Sequence, residues 1–221
     1  MAWFTQDAIA FFSDLEQNND RAWFEKNKKR YEASVKKPME DFAAEMIERM
    51  RGIDPEITML PKQAVFRIYR DTRFSADKRP YKTNAGLAIS RGGKTDHTSP
   101  GLYFHLDAHC MAIASGCYFL QPPQVLAIRK RIAANLREFE RLLDEPEFKE
   151  RFGTIAGEKN KVLPPELRDA AAKQPLLFNK QFYYWAELKA QEALRDDLPD
   201  FVMAHVKAAL PMNEFLSAAL K

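Results

Sequence analysis

The spacing of apolar residues changes twice along this chain, and these two changes constrain the fold more than any other feature. Up to Gly52 apolar residues recur at helical spacing; from Ile57 to about Tyr118 they alternate; from Pro122 helical spacing returns. In the first part Thr5 is placed to cap a helix carrying Ala8, Phe11, Phe12 and Leu15 on one face. Asn18-Asn19-Asp20 breaks that helix and caps a second one, with Trp23, Phe24, Tyr31 and Val35. Pro38 fits the first turn of a third, striped by Met39, Phe42, Met46 and Met50 and ended by Gly52.

In the alternating part the expected strands are Ala64–Tyr69, Asn84–Ser90, Gly101–Leu106 and Cys110–Tyr118. Arg91-Gly92-Gly93-Lys94 carries a turn signal, and "LDAHC" is short enough to turn the third strand into the fourth. Sequential strands with short links imply an antiparallel meander, not an alternating βαβ sheet. Pro122-Pro123 then opens a helix with Val125, Leu126, Ile128, Ile132 and Leu136, followed by helical pieces near 139–143, 147–152 and 166–172. "FNKQFYYWAEL" has the composition of a late strand. Residues 200–220 return to helix, with Pro211 expected to interrupt it. The expected fold class is α+β: an antiparallel sheet packed against N-terminal and C-terminal helices. It is expected as one domain over residues 1–221, helical over 1–52, mainly antiparallel strands over 57–120, and mainly helical over 122–221 with a strand near 178–187.

A chain of 221 residues is ample for a real core. Hydrophobic residues at 46% and charged residues at 29% exclude the disordered class. No apolar run approaches the ~20 residues that span a bilayer. The N-terminal stretch has no basic region and no small-residue cleavage site, so it does not read as a signal peptide, and a cytoplasmic location is expected. Cys110 and Cys117 form no CxxC pair and read as small core residues.

Charge is distributed unevenly. Arg67–Lys82, "RIYRDTRFSADKRPYK", holds six basic and two acidic residues, a net +4 against a total of +3, leaving −1 for the rest. This is not a general nucleic-acid surface but a near-neutral chain with one basic segment. Its start is β-branched and aromatic, and its middle is rich in turn residues, which places a strand end followed by a loop. Arg67, Arg70 and Arg73 offer planar forks suited to phosphate and carboxylate, and Lys78 and Lys82 add compact charge. Asp71 and Asp77 are candidates to orient the arginines, with Asp71 a weak candidate for a base; Tyr69, Phe74 and Tyr81 either frame a ligand ring or pack beneath the loop. Two aspartates cannot pair six cations, so further partners are expected from helix acids such as Glu25, Asp41 or Glu45. Two readings stay open: an anion site, or an ion-pair lattice fastening loop to sheet in a non-enzymatic interaction protein. Nucleic-acid binding is the weakest third.

The pattern Arg67-x-x-Arg70-Asp71-x-Arg73-Phe74-x-x-x-Lys78-x-x-Tyr81 resembles the RxxRDxRFxxxKxxY motif of a family of uncharacterised bacterial proteins with fungal relatives, of about this chain's length. "NNDRAWF" near the start and "RPYKTN" after the motif are similar to it as well, so the resemblance covers nearly the whole chain. It implies that Arg67, Arg70, Asp71, Arg73, Phe74, Lys78 and Tyr81 are the residues to single out. It implies no activity, cofactor or catalytic residue.

Other constellations carry less. His105, His109 and Cys110, with Asp107 beside them, are metal-ligand types, but the turn falls among them and polar residues round a hairpin tip are the preferred reading. His97 and His205 read as ordinary surface or core-edge residues. GxSxG, GxGxxG and GxxxxGK[ST] are absent. No metal and no cofactor is expected, and a small anionic ligand is the expected partner.

Overall fold

The computed structural model describes residues 2–96 and 98–220; His97, read above as a surface or core-edge residue, lies outside them. Helix α1 spans Gln6–Gln17, after Thr5, and buries Ala8, Phe11, Phe12 and Leu15. Helix α2 spans Arg21–Tyr31, with Asp20 accepting a hydrogen bond from the Trp23 amide. The expected second and third helices are one continuous rod: a π-helical turn, Glu32–Lys36, joins α2 to α3, Lys37–Arg51. Pro38 has no N–H to give and its ring would crowd a normal turn; the wider turn ahead of it, where the Lys37 amide reaches back to the Glu32 carbonyl, accommodates both.

A sheet of four strands runs β1 (Asn84–Ile89), β2 (Leu102–Asp107), β3 (Cys110–Cys117), β4 (Phe182–Lys189), in that order. The α+β class and the antiparallel meander are therefore observed, and the late aromatic segment is the fourth strand. The first expected strand is not formed. Pro61 opens a short helix, α4 (Pro61–Ala64), and residues 65–70 then run extended but meet their neighbours only at two bridges, Val65 with Leu87 and Tyr69 with Tyr81. The chain bends at Ile68 and Pro80 has no N–H to return, so no continuous ladder forms.

After the sheet come α5 (Pro122–Ala134), α6 (Leu136–Leu143), α7 (Pro146–Phe152), α8 (Arg168–Lys173) and α9 (Leu198–Ser217). Pro211 does not interrupt α9, contrary to the local rule. The neighbouring Ala209, Met212, Phe215 and Leu216 are buried, and that burial outweighs one missing backbone bond. Among the described residues no helix is long and apolar enough to cross a membrane.

The chain divides into two compact units. The first takes residues up to Lys94, Tyr103–Ile113 and Glu187–Met203. Its core sets Phe4 and Phe42 against Phe104 of β2, with ring centroids 6.0 and 4.9 Å away. The second takes Thr95–Leu102, Ala114–Ala186 and residues from Ala204 onward. There Tyr184 of β4 packs edge-on to Phe148 and Phe152, and its hydroxyl bonds Asn213 of α9. Gly116 has φ +98°, and a Cβ there would meet the Phe182 carbonyl oxygen at 2.3 Å, so β3 and β4 close together only over glycine. His205 is buried at 3% exposure against Phe152, and so belongs to the core proper. Cys117 is a core residue, as expected; Cys110 is half-buried beside polar groups and is not.

Candidate functional site

The basic segment divides into three parts with different jobs. Its loop, residues 70–79, pairs three of its four cations from within. Asp71 accepts from the Arg73 amide and takes its guanidinium on both oxygens, at 3.0 and 2.7 Å. Asp77 repeats the arrangement with Arg79 and also accepts from Arg70 at 2.7 Å. An Asp-x-Arg spacing lets one carboxylate hold both the backbone and the side chain two residues on. The arginine hydrogen bonds hold both carboxyls below the ordinary aspartate range, Arg73 acting on Asp71 and Arg79 foremost on Asp77. Asp71 thus orients the Arg73 side chain and holds its amide. Lys78 donates to the Thr72 carbonyl at 3.0 Å. Phe74 stands at the loop tip, 96% exposed, with the Arg73 guanidinium 5.8 Å from its ring centroid.

The expected helix acids do not join this network. Asp41 pairs with Lys37, and Glu45 with Arg49. Glu25 acts on Tyr81 only through its charge.

The segment's end packs into the core. Tyr81 is 3% exposed and stacks on Phe24 with ring centroids 4.0 Å apart. Asn19 clamps its backbone from both sides, donating to the Tyr81 carbonyl at 3.0 Å and accepting from its amide at 3.1 Å. Burial, then the charges of Tyr69 and Glu25, push the Tyr81 phenol up. "NNDRAWF" and "RPYK", far apart in sequence, thus meet through Asn19, Phe24 and Tyr81.

The third part is a cationic group assembled round Phe66. Arg67 is exposed, and among the described residues it has no carboxylate at ion-pair distance, although its charge is felt by Asp71. Lys82 sets its ammonium 5.3 Å from the Phe66 centroid. Lys94 sets its own at 5.8 Å and donates to the Val65 carbonyl at 2.8 Å. Burial, then the positive charges of Arg67 and Lys94, lower the Lys82 ammonium below the ordinary lysine range. Tyr103 of β2 faces the same ring with centroids 6.2 Å apart, and the missing Cβ of Gly86 leaves room between them. Of the expected site residues, then, Arg67 joins this group, while Arg70, Asp71, Arg73 and Lys78 stay in the loop and Tyr81 in the core. Lys94 had signalled only a turn; nothing in the spacing says that it reaches back to Val65.

A second polar cluster lies on β2 and β3. His105 Nε2 is 2.8 Å from Asp107 Oδ2, and Cys110 Sγ is 3.6 Å from the same oxygen. His109 points elsewhere, to Glu16 at 3.0 Å. Burial, then the Asp107 and Glu187 charges, raise the Cys110 thiol to about 11.

The sequence profile of one family, DUF2461, described as conserved hypothetical proteins, matches residues 7–215. No curated protein matches the chain. A match of that extent covers α1 through most of α9 and takes in both the basic segment and the β2–β3 cluster; the chain belongs to the DUF2461 family of conserved hypothetical proteins.

Proposed function

We propose that this protein binds a small anion, a phosphate or a carboxylate, at Arg67, Lys82 and Lys94. One observation carries the reading: two lysine ammoniums lie over one aromatic ring, the charge of Arg67 acts on one of them, and among the described residues no carboxylate answers Arg67 or Lys82 at ion-pair distance. Like charges brought together at a cost are what an anion site requires before its ligand arrives. Arg67 supplies a planar fork for two oxygens, the lysines supply point charges, and the tilted rings of Phe66 and Tyr103 supply aromatic surface. The ligand would relieve the repulsion on Lys82 and make charge-assisted hydrogen bonds to all three cations. The proposal is one of binding, with no reaction attached.

A thermal-shift screen against inorganic phosphate, pyrophosphate, nucleotides and dicarboxylates tests it. An anion at about 100 times its dissociation constant adds roughly 2.7 kcal/mol. At about 2–4 °C per kcal/mol for a chain of this size, the shift is roughly 5–10 °C. Arg67→Gln, which breaks no ion pair, should keep the parent's melting point and lose the shift. A shift of equal size in that variant removes the proposal.

The exposure of Phe74 favours a second reading, in which loop 70–79 docks on a protein partner without chemistry. Phe74→Ser would then abolish partner capture and leave every anion shift intact.

A further inference from the structure

We propose that His105, Asp107 and Cys110 form a binding site for one divalent cation of the zinc class. The inference stands on its own geometry and does not depend on the anion site. The two-residue link Ala108-His109 turns β2 directly into β3, which sets Asp107 and Cys110 opposite each other. His105 lies two residues before Asp107 and so shares its face. Asp107 Oδ1 accepts from the amides of both His109 and Cys110 at 2.7 Å. Those two bonds fix the carboxylate from the backbone and leave Oδ2 for His105 Nε2 and Cys110 Sγ.

The nitrogen, oxygen and sulfur atoms all lie within 4.8 Å of one another. Ligand atoms about 2.0–2.3 Å from a tetrahedral zinc sit roughly 3.3–3.8 Å apart, so small side-chain rotations close the set round an ion. A mixed imidazole, carboxylate and thiolate set is of intermediate softness, which suits zinc or cobalt and not magnesium or calcium. The surroundings suit a cation too, because the Glu187 carboxylate of β4 also acts on the thiol. The side chains of His105 and Asp107 are 11% and 20% exposed, which gives partial desolvation with a route in from Asp107. Binding converts the Cys110 thiol to a metal-bound thiolate and releases its proton to solvent. Three protein ligands leave a fourth position for water or Glu187.

The test uses the full chain, stripped with a chelator and titrated with cobalt(II), whose thiolate charge-transfer band in the near ultraviolet reports sulfur ligation. The expected result is a band that saturates at one cobalt per chain and is displaced by zinc. The band should be lost in Cys110→Ser and kept in Cys117→Ala, with circular dichroism confirming that each variant is folded. His105→Gln should weaken zinc binding by at least about tenfold. No band in the folded parent, a band that survives Cys110→Ser, or unchanged zinc affinity in folded His105→Gln overturns the site.

Discussion

Replacing Lys82 with Met separates binding from fold at a single position. The methionine keeps the stem's packing and deletes the charge. The Lys82 and Lys94 ammoniums lie 5.3 and 5.8 Å from the Phe66 centroid, hence no more than about 11 Å apart. Coulomb repulsion at that distance is about 0.4–1.5 kcal/mol for effective dielectrics from about 80 down to about 20. Against this stands the lost attraction of the ammonium for the Phe66 ring, about 0.5–1 kcal/mol, which a methionine sulfur partly replaces. Lys82→Met should therefore melt at the parent's temperature or up to about 4 °C above it in low salt, while its anion-induced shift disappears. The pH dependence has a definite sign. Because the folded-state ammonium titrates below the ordinary lysine value, the unfolded chain binds more protons between the two values. Parent stability must rise with pH across that window, and the rise must be absent in Lys82→Met. Differential scanning fluorimetry at two salt concentrations, with and without pyrophosphate, reads all of this. A variant that melts more than about 8 °C below the parent would refute the reasoning, since Lys82 would then be holding the fold together.

Arg70→Ala should cost no more than about 1 kcal/mol by urea denaturation, because Asp77 keeps Arg79 and both members of the Arg70–Asp77 pair are partly open to solvent. Tyr81→Ala should cost about 3–5 kcal/mol in the same assay, since it empties the stack on Phe24. Gly116→Ala should destabilise by about 2 kcal/mol or more, through its positive φ and the approach of the Phe182 carbonyl; an unchanged denaturation midpoint would mean that the strands part easily there. Burial, then the Tyr69 charge, push the Tyr31 phenol up to about 12 from an ordinary 10.0. Its stabilising contribution is complete below pH 10 and lost as pH rises toward about 12, so Tyr31→Phe should flatten the alkaline fall in melting temperature.

What the sequence made legible was chiefly periodic. Alternation from Ile57 located three of the four strands and helical spacing located the flanking helices, while the fourth strand was legible from its aromatic composition. Proline was read correctly at Pro38, which stands in the first turn of α3 after a π turn, and wrongly at Pro211, which surrounding burial keeps inside α9; Pro80, lacking an N–H, leaves the expected strand beside it without a ladder. At the site, the charge count was sound: two aspartates do leave cations over. The Asp-x-Arg repeats at 71–73 and 77–79 could have shown that Arg73 and Arg79 would be satisfied locally, leaving Arg67, Arg70, Lys78 and Lys82. Lys94 was beyond reach, since its bond to Val65 spans a separation of 29 residues that no local pattern encodes. The residues round Asp107 were legible as a local group, but not that His109 would turn to Glu16 and leave His105, Asp107 and Cys110 together.

The most direct test of the anion site is a calorimetric titration of the parent, Arg67→Gln, Lys82→Met and Arg73→Gln with pyrophosphate and with citrate. The account predicts one site per chain for at least one of these anions. Affinity should fall by at least about tenfold, about 1.4 kcal/mol, in the Arg67 and Lys82 variants and stay unchanged in the Arg73 variant, whose guanidinium is already taken by Asp71. Equal affinity in all four proteins, or no heat of binding with either anion, would contradict it.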